Sequence, residues 1–502
     1  MQPNYPWMIK HILRLQPLGK EIRVNDQTPL IDVLHEFGIE FPCGGKGTCG
    51  KCKVRLMLGD IKMTDAHLQM ITQLGLKSDW RLACFSQCTG DITLEIEQFN
   101  HLILADESEY EFIPQEGYGI AVDLGTTTLV AQLIDLSLSK VLAVETMLNP
   151  QLKFGADLIS RIQGCLDGHA EEMTRSIRSS IGTMIELMLN KQPVEIQKVV
   201  IVGNTVMQLI FSNCDVSPLS MYPFHTDNLE MKTFTPEELE WNFQVNVKIK
   251  FYPAIGSFVG SDILAGIAAT GIHQKEKYSA LIDLGTNGEI VIGNKHQIVC
   301  ASTAAGPAFE GANISMGMRA VTGAISSINL RDGKMEASVI GNTIAKGLCG
   351  SALIDAIAIL RKLDLIGMFG EINSGEQSIQ LVGKVSLSQR DINEFQLAKA
   401  AIAAGLTILA KNLSIGIEDI ETIYIAGGFG SYINIVNVVA TGMIELPEEK
   451  IHKMGNTALI GAKMFLFSDS EITNEILLRT RHINLEGDPN FQDIYVDKML
   501  LN

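Results

Sequence analysis

Two near-copies of one short run, Ala121-Val-Asp-Leu-Gly-Thr-Thr and Leu281-Ile-Asp-Leu-Gly-Thr-Asn, stand 160 residues apart in this chain of 502. Each closes an apolar, β-rich stretch, so each reads as a strand that ends on a carboxylate and turns back on a glycine. A repeat on this scale points to two related subdomains, each giving one copy to a shared cleft. Gly125 and Gly285 permit the tight turn and let backbone N–H groups approach phosphate oxygens. The hydroxyls of Thr126, Thr127, Thr128 and Thr286 add donors, and Asp123 and Asp283 are positioned to hold Mg2+ through its waters.

One Asp-Leu-Gly-Thr turn would say little, because Asp-plus-Gly turns are common. A third run changes that. Ile423-Tyr-Ile-Ala-Gly-Gly-Phe-Gly carries an apolar strand into Gly427, Gly428 and Gly430, a turn against which an adenosine can lie flat. Neither a G-x-x-x-x-G-K-[ST] loop nor a G-x-G-x-x-G turn after a strand competes with these runs. Around them, apolar strands at 119–122, 199–202, 280–282 and 422–426 alternate with helical patterns at 157–166, 171–190 and 397–414, which makes the bulk of the chain α/β.

The first hundred residues differ. Alternating apolar and polar positions on both sides of Gly19 predict a hairpin. Asp26, Pro29 and the apolar face of Leu30, Val33 and Leu34 predict a helix start, and 53–58 and 91–96 predict strands. This is a small α+β sheet crossed by one helix. The acidic stretch at 106–111, followed by Pro114, reads as an extended linker. The expected division is 8–98, a linker at 99–117, a first subdomain at 118–275 and a second at 276–495.

Five of the nine cysteines fall between residues 43 and 88. Cys43, Cys49, Cys52 and Cys84 give C-x5-C-x2-C-x31-C, set among Gly44, Gly45, Gly47, Gly50, Lys46 and Lys51. Four thiolates suit a 2Fe–2S cluster, two per iron, and the glycines free backbone N–H groups to donate to its sulfurs. Zinc prefers paired knuckles, of which there is one here, and the loop is too polar for a cysteine core. Cys88 is a bystander or a substitute ligand. Cys165, Cys214, Cys300 and Cys349 read as buried small hydrophobes.

Lys and Arg total 40 against 57 Asp and Glu, a formal charge of −17, which argues against a nucleic-acid partner. With 46% hydrophobic and 19% charged residues the chain is globular. No apolar run reaches the roughly 18 residues of a membrane span, and the first residues lack a secretion signal's apolar core, so the expectation is a cytoplasmic protein with no membrane partner.

The segments FPCGGKGTCGKCKV and RLACFSQCTGDITLEI resemble plant- and adrenodoxin-type 2Fe–2S ferredoxins, whose fold is a β-grasp. The two Asp-Leu-Gly-Thr runs and the Ala-Gly-Gly run, in this order, resemble the two-subdomain ATPase fold shared by actin, sugar kinases and heat-shock ATPases. Four further segments narrow the family: VVIVGNTVMQLIF, FVGSDILAGI, CASTAAGPAFEGANISMGMRAVTGAI and KGLCGSALIDAIA. They resemble the reductive activators of corrinoid enzymes, over nearly the whole chain.

That resemblance implies ATP-dependent electron transfer. A 2Fe–2S cluster would return one electron to inactive Co(II) and regenerate Co(I) on a corrinoid iron–sulfur protein or a corrinoid methyltransferase subunit. It implies an upstream low-potential electron donor and a homodimer formed through the ATPase domain. ATP and Mg2+ would be held by residues 123–128, by 283–288 (Asn287 and Gly288 included) and by 427–430. Segment 302–319 would face the corrinoid, with Ser302 or Thr303 offering an oxygen to cobalt. Longer family members carry an extra domain where only about 16 residues stand here, which leaves the partner open. The alternatives are an ATP-driven donor to another low-potential acceptor, and a ferredoxin-fused small-molecule kinase. A kinase would need a cleft carboxylate, Asp262 or Glu289, but has no use for a redox cluster.

Overall fold

The computed structural model describes residues 10–16, 20–34, 52–96, 112–154, 157–243, 246–285, 287–311, 313–318, 323–430, 432–468 and 471–502. Its first unit is a five-stranded mixed sheet in the order Lys20–Asn25, Lys10–Gln16, Ile92–Glu95, Lys53–Leu58, Trp80–Leu82. The first hairpin is antiparallel, and Lys10–Gln16 runs parallel to Ile92–Glu95 with Leu13 opposite Ile92. Alternation turns Leu13, Leu15, Val54, Leu82, Ile92 and Leu94 into one buried face. This is the expected β-grasp arrangement.

One expectation fails here. Residues 26–29 are not a helix start: Gln27 takes a left-handed φ of 62°, and Thr28–Pro29 pairs as a short strand with Gln87–Cys88. Helix Ile31–Leu34 begins after it. Tertiary pairing overrides the cap signal of Asp26.

The remainder holds two six-stranded sheets with the same internal plan. In the first, Lys140–Leu148, Thr128–Asp135 and Tyr118–Leu124 are antiparallel neighbours, and Ile196–Gly203 and Lys248–Phe251 continue in parallel. In the second, Ile298–Thr303, Gly288–Gly293 and Ser279–Leu284 are followed by Thr422–Ala426 and Ile451–Gly455. The registers correspond: Asp123 lies opposite Val202, and Asp283 opposite Ala426. Val202-Gly203 therefore occupies in one half the place of Ala426-Gly427 in the other.

The repeat extends to the helices that follow the fifth strands, Ser261–Thr270 and Thr457–Phe467. Gly260, Leu264 and Gly266 recur as Gly455, Leu459 and Gly461, each 195 residues on. These helices pack directly on each other. A Cβ on Gly461 would stand 2.1 Å from the Ala265 carbonyl oxygen, an approach only glycine allows. Long helices cover the outer faces: Ala170–Lys191 and Gln389–Asn412. The latter starts eight residues before the sequence pattern suggests, because Ser388 and Asp391 form a reciprocal cap. Among the described residues no helix is long and apolar enough to cross a membrane.

Candidate functional site

Cys52 precedes strand Lys53–Leu58, and Cys84 lies in the turn after Trp80–Leu82. Pairing of Lys53 with Leu82 brings the two cysteines side by side. The Ala83 N–H donates to the Cys52 carbonyl at 2.8 Å, and the two Sγ atoms are 3.2 Å apart, too far for a bond between them. Cys52 is buried and Cys84 half-buried. Two soft donors at this separation, not joined in a disulfide, fit two ligands of an iron–sulfur cluster. Cys43, Cys49, Lys46 and Lys51 lie outside the described residues.

His67 supports this turn, and nothing in the sequence pattern singles it out. It is fully buried; its Nε2 accepts from the Leu82 N–H at 2.9 Å, and its ring stacks on Phe85 at 5.4 Å. Burial, helped by Arg81, lowers its pKa and keeps the ring neutral. The Cys88 thiol donates instead to the Gly90 carbonyl at 3.3 Å, and burial raises its pKa.

The two Asp-Leu-Gly turns end neighbouring sheets. The Gly125 N–H donates to the Thr128 carbonyl, and a Cβ on Gly125 would stand 2.6 Å from that oxygen. The Gly285 N–H donates to the Asn287 carbonyl at 3.0 Å; Thr286 lies outside the described residues. Gly427 opens the helical turn Gly427–Gly430 directly beside Asp283.

Several buried polar groups that sequence reasoning missed hold the first turn. Asn149 Nδ2 donates to the Gly125 carbonyl and Arg161 Nη2 to the Thr126 carbonyl, both at 2.9 Å. Asn204, the cap of helix Thr205–Phe211, donates to Thr126 Oγ1 at 3.0 Å. From the other subdomain, Asn456 Nδ2 donates to Asp123 Oδ2 at 2.7 Å. Asn204 and Asn456 each follow a glycine at a strand end, a signal the sequence did carry.

The cleft concentrates carboxylates. Burial raises Asp123 to about 6 against the opposing bond from Asn456. Burial and then the charge of Asp123 raise Asp283 to about 7. Asp262 is pushed up to about 7 by burial, then by Asp283 and Asp123. Glu289 is raised well above the usual carboxylate range by burial, Asp262 and Asp283. Asp262 and Glu289 therefore belong to the same cleft as the two turn carboxylates, and the set favours an added proton or cation.

Ser302 stands opposite Glu289 in register, and its Oγ donates to Glu289 Oε1 at 3.2 Å. Thr303 is buried, and Ser315 donates through its N–H and hydroxyl to Asp391. Ser302 thus gives its proton to the carboxylate cleft, while its oxygen keeps its lone pairs.

Comparison with known proteins gives a consistent set of relatives. Residues 277–502 match the C-terminal domain of RACo, described as an ASKHA domain. Residues 118–275 match the RACo middle region, and 13–89 the 2Fe-2S iron-sulfur cluster binding domain. A corrinoid activation enzyme, RamQ, of Eubacterium limosum is 31% identical, covering 95% of this chain and 97% of its own. A reductase of the Co(II) methylated amine-specific corrinoid protein from Methanosarcina barkeri is 25% identical over 76% of each chain. The solved structure of a reductive activator for corrinoid, iron–sulfur protein superposes with a TM-score of 0.68, at 26% identity over 98% of both chains.

Proposed function

Since this chain belongs to the family of reductive activators of corrinoid proteins, we propose that it spends ATP to reduce an inactive Co(II) corrinoid protein to Co(I), one electron at a time. The observation that carries the reading is the joining, in one chain, of a close cysteine pair and a two-turn carboxylate cleft. For one electron, a gap of 59 mV is a tenfold disadvantage, about 1.4 kcal/mol. An uphill transfer therefore needs a second energy source, and the cleft is its entry point.

The proposed cluster ligands are Cys43, Cys49, Cys52 and Cys84; a 2Fe–2S cluster bound there supplies a one-electron carrier. His67, kept neutral, holds the backbone turn that carries Cys84. In the cleft, backbone N–H groups of 126–128 and 286–288 are proposed to donate to phosphate oxygens, the Gly125 and Gly285 N–H groups closing the turns, with Gly427, Gly428 and Gly430 under the adenosine. Asp123 and Asp283 are proposed to orient Mg2+. Among the described residues no three Asp, Glu, His or Cys side chains could chelate a metal by themselves. Water and phosphate oxygens would therefore complete its shell, as Mg2+ prefers.

The divisions at 8–98, 99–117, 118–275 and 276–495 are proposed on the same basis, supported by the separate sheets. A cytoplasmic location, a homodimer through the ATPase domain and an upstream low-potential donor complete the reading. The deciding experiment is anaerobic absorbance spectroscopy of cluster-loaded, reduced protein mixed with a Co(II) corrinoid protein. Co(I) forming only with Mg-ATP is the expected result. ATP turnover without Co(I) would redirect the electron to another acceptor, and neither signal with a full cluster would overturn the proposal.

A further inference from the structure

Helix Thr457–Phe467 touches functional ground at both ends. At its N-terminus Asn456 accepts from the Leu459 N–H at 2.8 Å as the helix cap and donates across the subdomain boundary to Asp123 at 2.7 Å. At its C-terminus the Phe467 carbonyl accepts from Gln115 Nε2 at 2.7 Å, and the Phe467 ring lies 5.2 Å from that of Phe112. Phe112 and Gln115 belong to the stretch joining the ferredoxin unit to the first ATPase strand.

That stretch is itself tied to the first subdomain. Gln115 Oε1 accepts from Lys198 Nζ at 2.6 Å, the Gln115 N–H donates to the Leu136 carbonyl, and the Leu136 N–H donates to the Gly117 carbonyl. One side chain of the tether thus clips the helix end to the first subdomain. Between its ends the helix is held along its length. Gly461 lies on Ala265, Leu466 lies over Gly119, and the ring of Phe465 stacks on Tyr252 at 4.5 Å and 7°. Eleven residues at about 1.5 Å each make a rod of roughly 16 Å.

The geometry is a closed circuit. Strand Tyr118–Leu124 runs from just past Gln115 to Asp123, and the helix runs back from Asn456 to Phe467. The strand belongs to the first subdomain; the helix follows the second sheet in the chain but packs on the first subdomain. The chain joins the helix to the second sheet at Gly455, so a nucleotide that changes the angle between the sheets loads the helix at Asn456. A rigid helix passes that load to its far tie at Gln115 and Phe112.

We infer that this helix couples the nucleotide cleft to the tether of the ferredoxin unit, with Asn456 at the cleft and Phe112 and Gln115 as positioning residues for electron transfer. The inference rests on the function proposed above. Coupling of this kind is reciprocal: nucleotide changes the docking of residues 112–117, and loss of docking changes what nucleotide achieves at the cluster.

Two measurements on the full, cluster-loaded chain test it. The first is hydrogen–deuterium exchange across 112–117, with and without a saturating non-hydrolysable Mg-ATP analogue. Exchange should shift at least threefold in the unaltered protein. It should not shift in Asn456→Ser, which keeps a capping oxygen but cannot reach Asp123. The second is ATP stimulation of Co(II) reduction. Gln115→Ala should keep ATP hydrolysis within twofold while losing at least fivefold of the stimulation; Gln115→Glu, which keeps the reach but not the donor, should lose it too. Analogue binding without altered exchange, or full stimulation in Gln115→Ala, overturns the coupling. Failure of the analogue to bind at all overturns the cleft reading instead, and the coupling with it.

Discussion

Gly427 lies so close to Asp283 that a Cβ built on it would stand 2.6 Å from Asp283 Oδ1 and 2.5 Å from the Leu284 carbonyl oxygen. Its φ of +87° is in the region that side chains avoid. The glycine turn after the fourth strand of the second sheet and the carboxylate of the second Asp-Leu-Gly turn are thus one structural unit. Parallel pairing of Asp283 with Ala426 creates it.

Gly427→Ala should therefore act on both stability and nucleotide binding. The left-handed backbone alone costs about 1–2 kcal/mol, and the displaced carboxylate adds a loss of affinity for ATP of at least tenfold. Calorimetric titration with a non-hydrolysable analogue checks it. An unchanged affinity would remove the Asp283 carboxylate from nucleotide binding, and in either case the visible spectrum of the cluster should be unaffected.

Cluster ligation separates Cys84 from Cys88. Cys84→Ser should lose most bound iron and acid-labile sulfide and shift what remains of the visible absorbance, because its Sγ stands 3.2 Å from that of Cys52. Cys88→Ala should retain a full complement of iron, since the Cys88 thiol donates to the Gly90 carbonyl. Its stability cost should be about 1 kcal/mol, from the small space left in the core. Loss of iron from Cys88→Ala would move the ligand set.

The contrast between what the chain spells out and what it conceals follows from where each signal resides. Asp123, Gly125, Asp283 and Gly427 announce themselves because strand, carboxylate and glycine are adjacent in sequence. Strand Thr422–Ala426 is legible to the residue for the same reason. Asn149 and Arg161 acquire meaning only when a turn 24 or 35 residues away comes against them. The recurrence of Gly260-x3-Leu264-x-Gly266 is hidden by its small residues, whose selection comes from helix contact and not from local propensity. The start of helix Gln389–Asn412 depends on Asp391, which also receives Ser315 from 76 residues away.

Arg161 is a fully buried cation that donates through one nitrogen to Gln151 Oε1 and through another to the Thr126 carbonyl. Lysine cannot reproduce that fork. Arg161→Lys should lower the urea midpoint by an amount equivalent to about 2–3 kcal/mol, the scale of charged hydrogen bonds left unmade. It should also raise the KM for ATP, through a slackened first turn. A normal midpoint and KM would remove Arg161 from the support of that turn.

Lys463 carries the clearest pH signature. On helix Thr457–Phe467 it is 6% exposed, and burial lowers its pKa from 10.5 to about 8. Between those values the unfolded chain binds the proton and the folded chain releases it, so stability rises with pH across that window. Read downward, stability is lost as pH falls from 10.5 through 8, and the cost is complete below about 7. Lys463→Met should therefore stabilise the protein at pH 7 by up to about 3 kcal/mol, with the advantage shrinking steadily toward pH 10. Urea unfolding of both proteins at several pH values between 7 and 10 measures the difference directly. A difference that stays constant over that range would mean that the ammonium reaches solvent and carries no burial cost.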